Sequence, residues 1–239
     1  MIRRAQAIAL AVVVLGTVCL AAPAAAQQQL SFNIGYFALR GEGSRVAGDT
    51  IVENLWADYP FALGYQISDF NNVTFGAEWL FPLGKYLEGG IGVSYFQGTA
   101  PSYYVDLVDN DTGRDITQDL KLRTVPITAT VRFVPTGRNA KVQPYIGAGI
   151  GIIPWNYSEY GDFVDSFYDT FSWEYKDSGT AVGPVIFGGV RVPVARTFAV
   201  GGEIRWQQAD TELDPDVGFQ GSRLDLGGFT YSANFIVRF

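Results

Sequence analysis

Leu224-Asp-Leu-Gly-Gly-Phe-Thr-Tyr-Ser-Ala-Asn-Phe-Ile-Val-Arg-Phe239 is the stretch whose reading decides the fold. From Phe229 one set of alternate residues is Phe229, Tyr231, Ala233, Phe235, Val237 and Phe239, and the other is Thr230, Ser232, Asn234, Ile236 and Arg238. Side chains alternate across a strand with period two, so one face is apolar and the other mostly polar. A soluble sheet can carry the same pattern. The length decides, because about 11 residues of unbroken alternation match a tilted strand crossing a bilayer. The rest of the chain must then supply the other strands of a closed barrel.

Seven further segments carry such alternation. Leu30 to Leu39 places Leu30, Phe32, Ile34, Tyr36 and Ala38 on one face. Val73–Phe81 and Tyr86–Phe96 form a hairpin around Pro82-Leu-Gly-Lys85. Leu120–Phe133 contains Pro126, which lacks an amide donor and predicts a bulge. Pro144–Ile152, Val182–Val192 and Phe198–Trp206 complete the set, with Phe61–Ile67 an open candidate for one more. The expected fold is all-β, a transmembrane antiparallel up-and-down β-barrel of eight strands. The connections alternate long and short, as in membrane barrels with long external loops, short periplasmic turns and both termini periplasmic.

Charge follows the same alternation. The four long connections (41–72, 97–119, 154–178 and 207–223) hold 20 of the chain's 24 acids and only four bases, whereas the short turns carry Lys85, Arg138, Lys141 and Arg196 and no acid. Glu78, Glu88, Arg132, Arg191, Glu203, Arg205 and Arg238 all fall in the polar-face register. On the other face an Arg or Lys against lipid would cost ~2–4 kcal/mol at mid-membrane. Phe81, Tyr86, Phe133, Phe198 and Phe239 sit beside the short turns, and Tyr36, Tyr95, Trp155 and Trp206 toward the long loops, as two interfacial girdles would.

The N-terminus reads as a secretory signal peptide over residues 1–26. Arg3 and Arg4 precede an apolar run, and Ala24-Ala-Ala26 offers a small-residue cleavage site. Cys19 sits in a poor lipobox. Residues 27–239 then form a single barrel domain with neither cysteine nor histidine. Disulfides and a Cys/His zinc site are excluded, and no cofactor is implied. Without histidine, the general base of most ester and amide hydrolysis is missing, so an enzyme is not expected. Removing Arg3 and Arg4 leaves 15 bases against 24 acids, a net −9, the wrong sign for nucleic acid.

An eight-stranded barrel has an interior just wide enough for side chains to fill. The seven inner-face charges are expected to pair there as a lumen charge network closing the bore, because an unpaired buried charge costs several kcal/mol. The other reading is a charged constriction passing small solutes when pairs rearrange. Gly147-Ala-Gly-Ile-Gly151 lacks dinucleotide-loop spacing and fits lumen-facing glycines that make room for large neighbours. Asp109-Asn-Asp-Thr-Gly113 has hairpin-turn chemistry and lacks the calcium loop's sixth-position glycine. Trp155, Tyr157, Tyr160, Phe163, Phe167, Tyr168 and Trp173 in the third loop are the candidate contact surface for an external ligand. The alternative is that the two arms of this loop extend their strands and pack on each other.

These features together resemble the small outer-membrane barrels of Gram-negative bacteria of the OmpA, OmpX and OmpW type. The resemblance rests on the alternating strands, the Tyr145-Ile-Gly-Ala-Gly-Ile-Gly151 stretch and the terminal Tyr231…Phe235…Phe239 pattern, which acts as an assembly signal in that group. It implies outer-membrane lipid as the environment, and insertion by the barrel-assembly machinery and periplasmic chaperones through the last strand. The roles it implies are structural, adhesive or small-solute, the last as a porin-like OmpW-type channel for small or apolar solutes. The chain lacks the C-terminal cell-wall-binding domain of OmpA.

Overall fold

The computed structural model describes residues 28–110, 112–165 and 167–239. The signal-peptide expectation for 1–26 lies outside the described residues. The strands are β1 (Gln29–Leu39), β2 (Leu63–Gly64), β3 (Asn72–Pro82), β4 (Leu87–Val108), β5 (Asp115–Thr124), β6 (Ile127–Phe133), β7 (Gln143–Val164), β8 (Thr170–Pro193), β9 (Phe198–Gln207), β10 (Asp210–Glu212), β11 (Arg223–Asp225) and β12 (Gly228–Arg238).

Antiparallel pairing runs β1-β3-β4, through β5 and β6, to β7-β8-β9-β12 and back to β1. The closing seam runs without a break from Gln29↔Arg238 to Leu39↔Gly228. β5 and β6 together make one stave, so the barrel has eight. Closure leaves no stave unpaired, which is what a sheet in lipid requires.

Two sequence expectations need correction and one open candidate is resolved. Pro126 creates no bulge: Val93↔Ile127 and Phe96↔Thr124 keep one register on β4, and Ile127↔Ile152 and Thr124↔Trp155 keep one on β7. The missing N–H only interrupts the ladder, and the Pro126 carbonyl still accepts from Ser94 N at 3.0 Å. Phe61–Ile67 adds no stave. Leu63–Gly64 is a two-residue strand on the upper part of β4, and Ile67–Phe70 is a 3-10 turn. Finally, the closing strand starts at Gly228 rather than Leu224, because Leu224 and Asp225 pair instead with β10.

The outward face changes character along the barrel. Over 29–39, 72–82, 87–96, 127–133, 144–153, 181–192, 198–206 and 228–238 it carries exposed Phe, Ile, Val and Tyr, including Phe32, Ile91, Val131, Ile150, Ile186, Ile204 and Phe235. These are the membrane-spanning segments, most of them close to the ~9–11 residues a tilted strand needs. Beyond them β4, β5, β7 and β8 continue, and β7 and β8 stay in register as far as Val164↔Thr170. The outer face of that extension holds Thr99, Asp119, Lys121, Arg123, Asn156, Glu174 and Lys176. The second and third long connections are therefore mostly strand, turning at Asp109–Arg114 and Asp165–Asp169.

Inside the extension lies the largest apolar core, including Phe37, Leu63, Phe70, Phe96, Tyr104, Leu120, Leu122, Trp155, Tyr157, Leu224 and Leu226. The first connection folds inward to supply part of it. Its one-turn helix Thr50–Glu53 buries Thr50 and Ile51, and Phe70 is buried behind it. Gly98 permits this seat: a Cβ there would stand 1.9 Å from the Phe70 carbonyl oxygen.

Candidate functional site

The lumen is filled in tiers. At the turn end Arg191 donates from Nη2 to Glu88 Oε1 at 2.9 Å and from Nη1 to Glu88 Oε2 at 3.2 Å. Its remaining donors reach Gln29 Oε1 at 2.9 Å and Gln143 Oε1 at 2.8 Å. Arg238 adds a bond to Gln143 Oε1 at 3.1 Å, and Gln143 Nε2 donates to the Arg138 and Ala140 carbonyls of the adjacent turn. Arg191 and Gln143 are both fully buried.

One layer higher, Arg132 binds Glu78, which also accepts from Thr130 Oγ1 at 2.9 Å. Arg205 pairs with Glu203 at 2.9 Å, and Tyr145 OH donates to Glu203 at 3.1 Å. Two cross-contacts are longer, Arg132–Glu203 and Arg205–Glu78, both 3.8 Å. The Arg132 guanidinium lies over the Tyr145 and Phe187 rings at 4.8 and 5.1 Å, so cation–π attraction supplements the ion pairs. The glycines make room for these groups. A Cβ at Gly147 would stand 2.4 Å from the Phe187 ring.

Above this layer is a polar gap of about 40 Å³, lined by residues that include Thr74, Ser94, Thr128, Gln207 and Ser232. The apolar core with its inserted loop caps it. Arg45 and Asp49 form a buried pair within the loop, and Asp49 Oδ1 accepts from Asp225 N at 2.8 Å. Arg45 Nη2 donates to the Asp225 carbonyl at 2.7 Å, and Arg40 pairs with Asp225 at 3.3 Å. Asp225 in turn accepts from Val46 N at 3.1 Å and Gly227 N at 2.7 Å. Burial outweighs Arg45 and holds the Asp49 carboxyl above its ordinary range.

On the opposite wall Glu159 of β7 accepts from Asn54 Nδ2 at 2.6 Å and Tyr157 OH at 2.8 Å. Burial raises its pKa, and those two donors only partly offset the shift. Tyr65, Tyr104 and Tyr157 are raised in turn, chiefly by burial and then by the nearby Glu159 charge, with a Val164 backbone bond partly opposing the shift at Tyr104.

A solved structure with the same architecture is the outer membrane protein OprG from Pseudomonas aeruginosa, with 12% identity and a TM-score of 0.56 over 90% of this chain and 96% of that one. This is the fold of a small bacterial outer-membrane β-barrel. Neisserial surface protein A also aligns with the barrel, at 11% identity over 89% of this chain and 97% of that one, TM-score 0.48. No family model matches the sequence, and no curated protein matches it either.

Within this outer-membrane barrel fold the seven inner-face charges divide into the two tiers. Glu88, Arg191 and Arg238 lie at the turn end, and Glu78, Arg132, Glu203 and Arg205 above them. Tyr231 and Phe235 face outward on the closing strand, and Phe239 is exposed just after its last residue. The third-loop aromatics split. Tyr160, Phe167, Tyr168 and Trp173 are exposed, but Trp155, Tyr157 and Phe163 are buried and lie off the outer surface. The same finding removes Trp155 from the outer girdle. β7 runs on without a bulge, so Trp155 keeps the inward parity of Tyr145 and Ile153. Asp109 uses its carboxylate to accept from Thr112 N at 2.8 Å and Oγ1 at 2.6 Å, as a turn residue does.

Residues that sequence reasoning missed are Arg40, Arg45, Asp49, Asn54, Glu159 and Asp225. Only Asp225 left a signal: it is the one acid outside both the long connections and the seven inner-face charges.

Proposed function

We propose that the protein is an integral barrel of the bacterial outer membrane with a closed lumen and a structural or surface-interaction role. The observation that carries this reading is the stacking of three seals in one bore: the Arg191–Glu88 tier, the Arg132–Glu78–Glu203–Arg205 tier and the inserted first loop. A bore of eight staves is narrow enough for such side chains to fill. In this reading the acidic extension faces outward from the cell, and both termini and the short basic turns are periplasmic. The barrel-assembly machinery and periplasmic chaperones insert it through the last strand, where Tyr231, Phe235 and Phe239 form the recognised face. No catalytic role is assigned. The exposed Tyr160, Phe167, Tyr168 and Trp173 are the part of the third loop open to a partner.

Planar-bilayer recording of the purified protein tests the closed lumen. A flat baseline is expected, and steady conductance steps that change in Glu78→Ala would replace this reading with the second one. That second reading, a narrow channel for small solutes, is favoured by the two 3.8 Å contacts and by Arg132 Nε, which is buried without a hydrogen-bond partner. Exchange of partners through those cross-contacts would give the tier a second arrangement. Turnover of a lipid ester by the purified protein would contradict the non-enzymatic assignment.

A further inference from the structure

Among the described residues, Glu159 is the buried carboxylate of the loop-end core with no cation against it. Neither of its oxygens enters an ion pair among the described residues, whereas Asp49 and Asp225 in the same core each face an arginine. It lines a cavity of about 110 Å³ between β4, β5, β7, β8 and the first and last long connections. Aromatic rings make much of the wall, with Phe61, Tyr104, Phe163, Phe171 and Tyr175 lining the same cavity. Phe163 meets Tyr175 edge-on at 4.8 Å, and Phe171 lies 6.1 Å from Phe163. No Lys or Arg stacks on these rings; the cation–ring contacts of the described residues are at Tyr86, Tyr145 and Phe187.

A second buried side chain offers an acceptor here, while its amide bonds Tyr104. Gln118 lines the same cavity, and its Oε1 is buried without a hydrogen-bond donor. The cavity therefore offers a carboxylate and an orphan carbonyl, both acceptors, inside an aromatic wall. Its rim at Gly218 and Gln220 is exposed, so small solutes can enter from the loop end.

We propose that this cavity binds a small organic ammonium ion, a free primary amine of about the size of ethylammonium. Its N–H donors meet Glu159 and the Gln118 carbonyl, and its alkyl end lies against the rings. Aromatic faces attract cations through the ring quadrupole, most strongly when the cation is desolvated. A hard metal ion is a poor match, since it requires several oxygen ligands and this wall is mostly carbon. An anion would be repelled by the carboxylate. Burial without a counter-charge holds the Glu159 carboxyl above its usual range, and Asn54, Tyr157, Tyr65 and Tyr104, which surround it, are all neutral groups. Asp49, another acid of this core, is already paired with Arg45. The assignment stands whether or not the lumen conducts, because the cavity lies above the membrane-spanning segments.

Saturation-transfer NMR on the full chain folded in detergent micelles tests it, with ethylammonium chloride as probe and sodium chloride at matched ionic strength as blank. Saturable binding is expected, ethanol of the same size should not compete, and Glu159→Gln should weaken binding roughly tenfold or more. Phe171→Leu, which keeps the carboxylate and trims the rim, should weaken it several-fold. O-phosphoethanolamine, the headgroup form of the same amine, should bind less well because its phosphate does not fit beside Glu159. The proposal is overturned if ethylammonium does not saturate, if ethanol competes equally, if Glu159→Gln binds unchanged, or if phosphoethanolamine binds more tightly. Unchanged strand content by circular dichroism is the folding check. Should Glu159→Gln fail it, Phe171→Leu and the ethanol comparison still decide.

Discussion

Arg191 on β8 reaches across the lumen to Glu88 on β4, a stave it does not neighbour, and the two are joined at 2.9 and 3.2 Å with both side chains buried. A strut between non-adjacent staves resists ovalisation of the barrel, which ladder bonds between neighbours alone do not. Removing one end leaves the other charge buried. Glu88→Ala is expected to cost ~3–5 kcal/mol, whereas the paired change Glu88→Leu with Arg191→Met should cost less than either single change. Urea titration of the folded, heat-modifiable band in lipid vesicles measures both. A double variant weaker than either single one would show that the pair is not a unit.

The inserted loop is fastened through Arg45, Asp49 and Asp225, all outside the membrane-spanning segments. Arg45→Ala should free the loop without unfolding the barrel. Asp49 would then be buried without its cation, and local opening of 40–72 should become roughly a hundredfold more populated. Limited proteolysis at the loop end reads this directly. Rapid cleavage within 40–72 together with an unshifted barrel band is the expected pattern. Cleavage no faster than in the wild type would mean that the apolar contacts of Ile51 and Phe70 hold the loop alone.

Glu159 makes the loop seal pH-dependent. Its pKa in the folded state lies above the ordinary carboxylate value, so the folded seal binds the proton more tightly than the opened one. The stability this contributes is complete below the ordinary carboxylate range and is lost as pH rises through the raised value. Asp49 is shifted in the same direction and adds the same sign. Protection of backbone amides around Asn54 should therefore fall with rising pH, and Glu159→Gln should flatten much of that fall while Asp49 supplies the remainder. Hydrogen exchange at matched intrinsic rates distinguishes the two. Equal slopes in both proteins would assign the dependence elsewhere.

The staves and the lumen-facing charges were legible because strand parity has a period of exactly two residues, so Glu78, Arg132 and Arg191 could be assigned a face from their own neighbours. Which acid meets which base was not legible. Glu78 meets Arg132 and Glu88 meets Arg191 through barrel stagger, a property of the closed sheet and not of any one segment. Trp155 was legible too, since its parity with Tyr145 and Ile153 points inward. Its position near a loop end argued for the girdle, and parity is the stronger constraint. The inserted loop left almost no local trace. Asn54 finds Glu159 across 105 residues and Arg40 finds Asp225 across 185, and 40–72 has no periodicity to betray a buried face.

Ile150 and Tyr160 lie ten residues apart on β7, point the same way and are comparably exposed, at 53% and 62%. In water, arginine at either position would be a surface change of little consequence. The bilayer separates them. Ile150 sits within the membrane-spanning segment, so Ile150→Arg should destabilise the folded barrel by ~2–4 kcal/mol in lipid vesicles, the cost of a cation on the lipid face near mid-membrane. Tyr160 stands above the apolar band beside Asp119 and Lys176, and Tyr160→Arg should leave stability within about 0.5 kcal/mol. The two variants share strand, face and exposure, so their difference isolates the lipid. Equal urea midpoints in vesicles would place the hydrocarbon boundary elsewhere on β7, and an arginine scan through Ile152, Pro154 and Asn156 would then locate it by the step in stability.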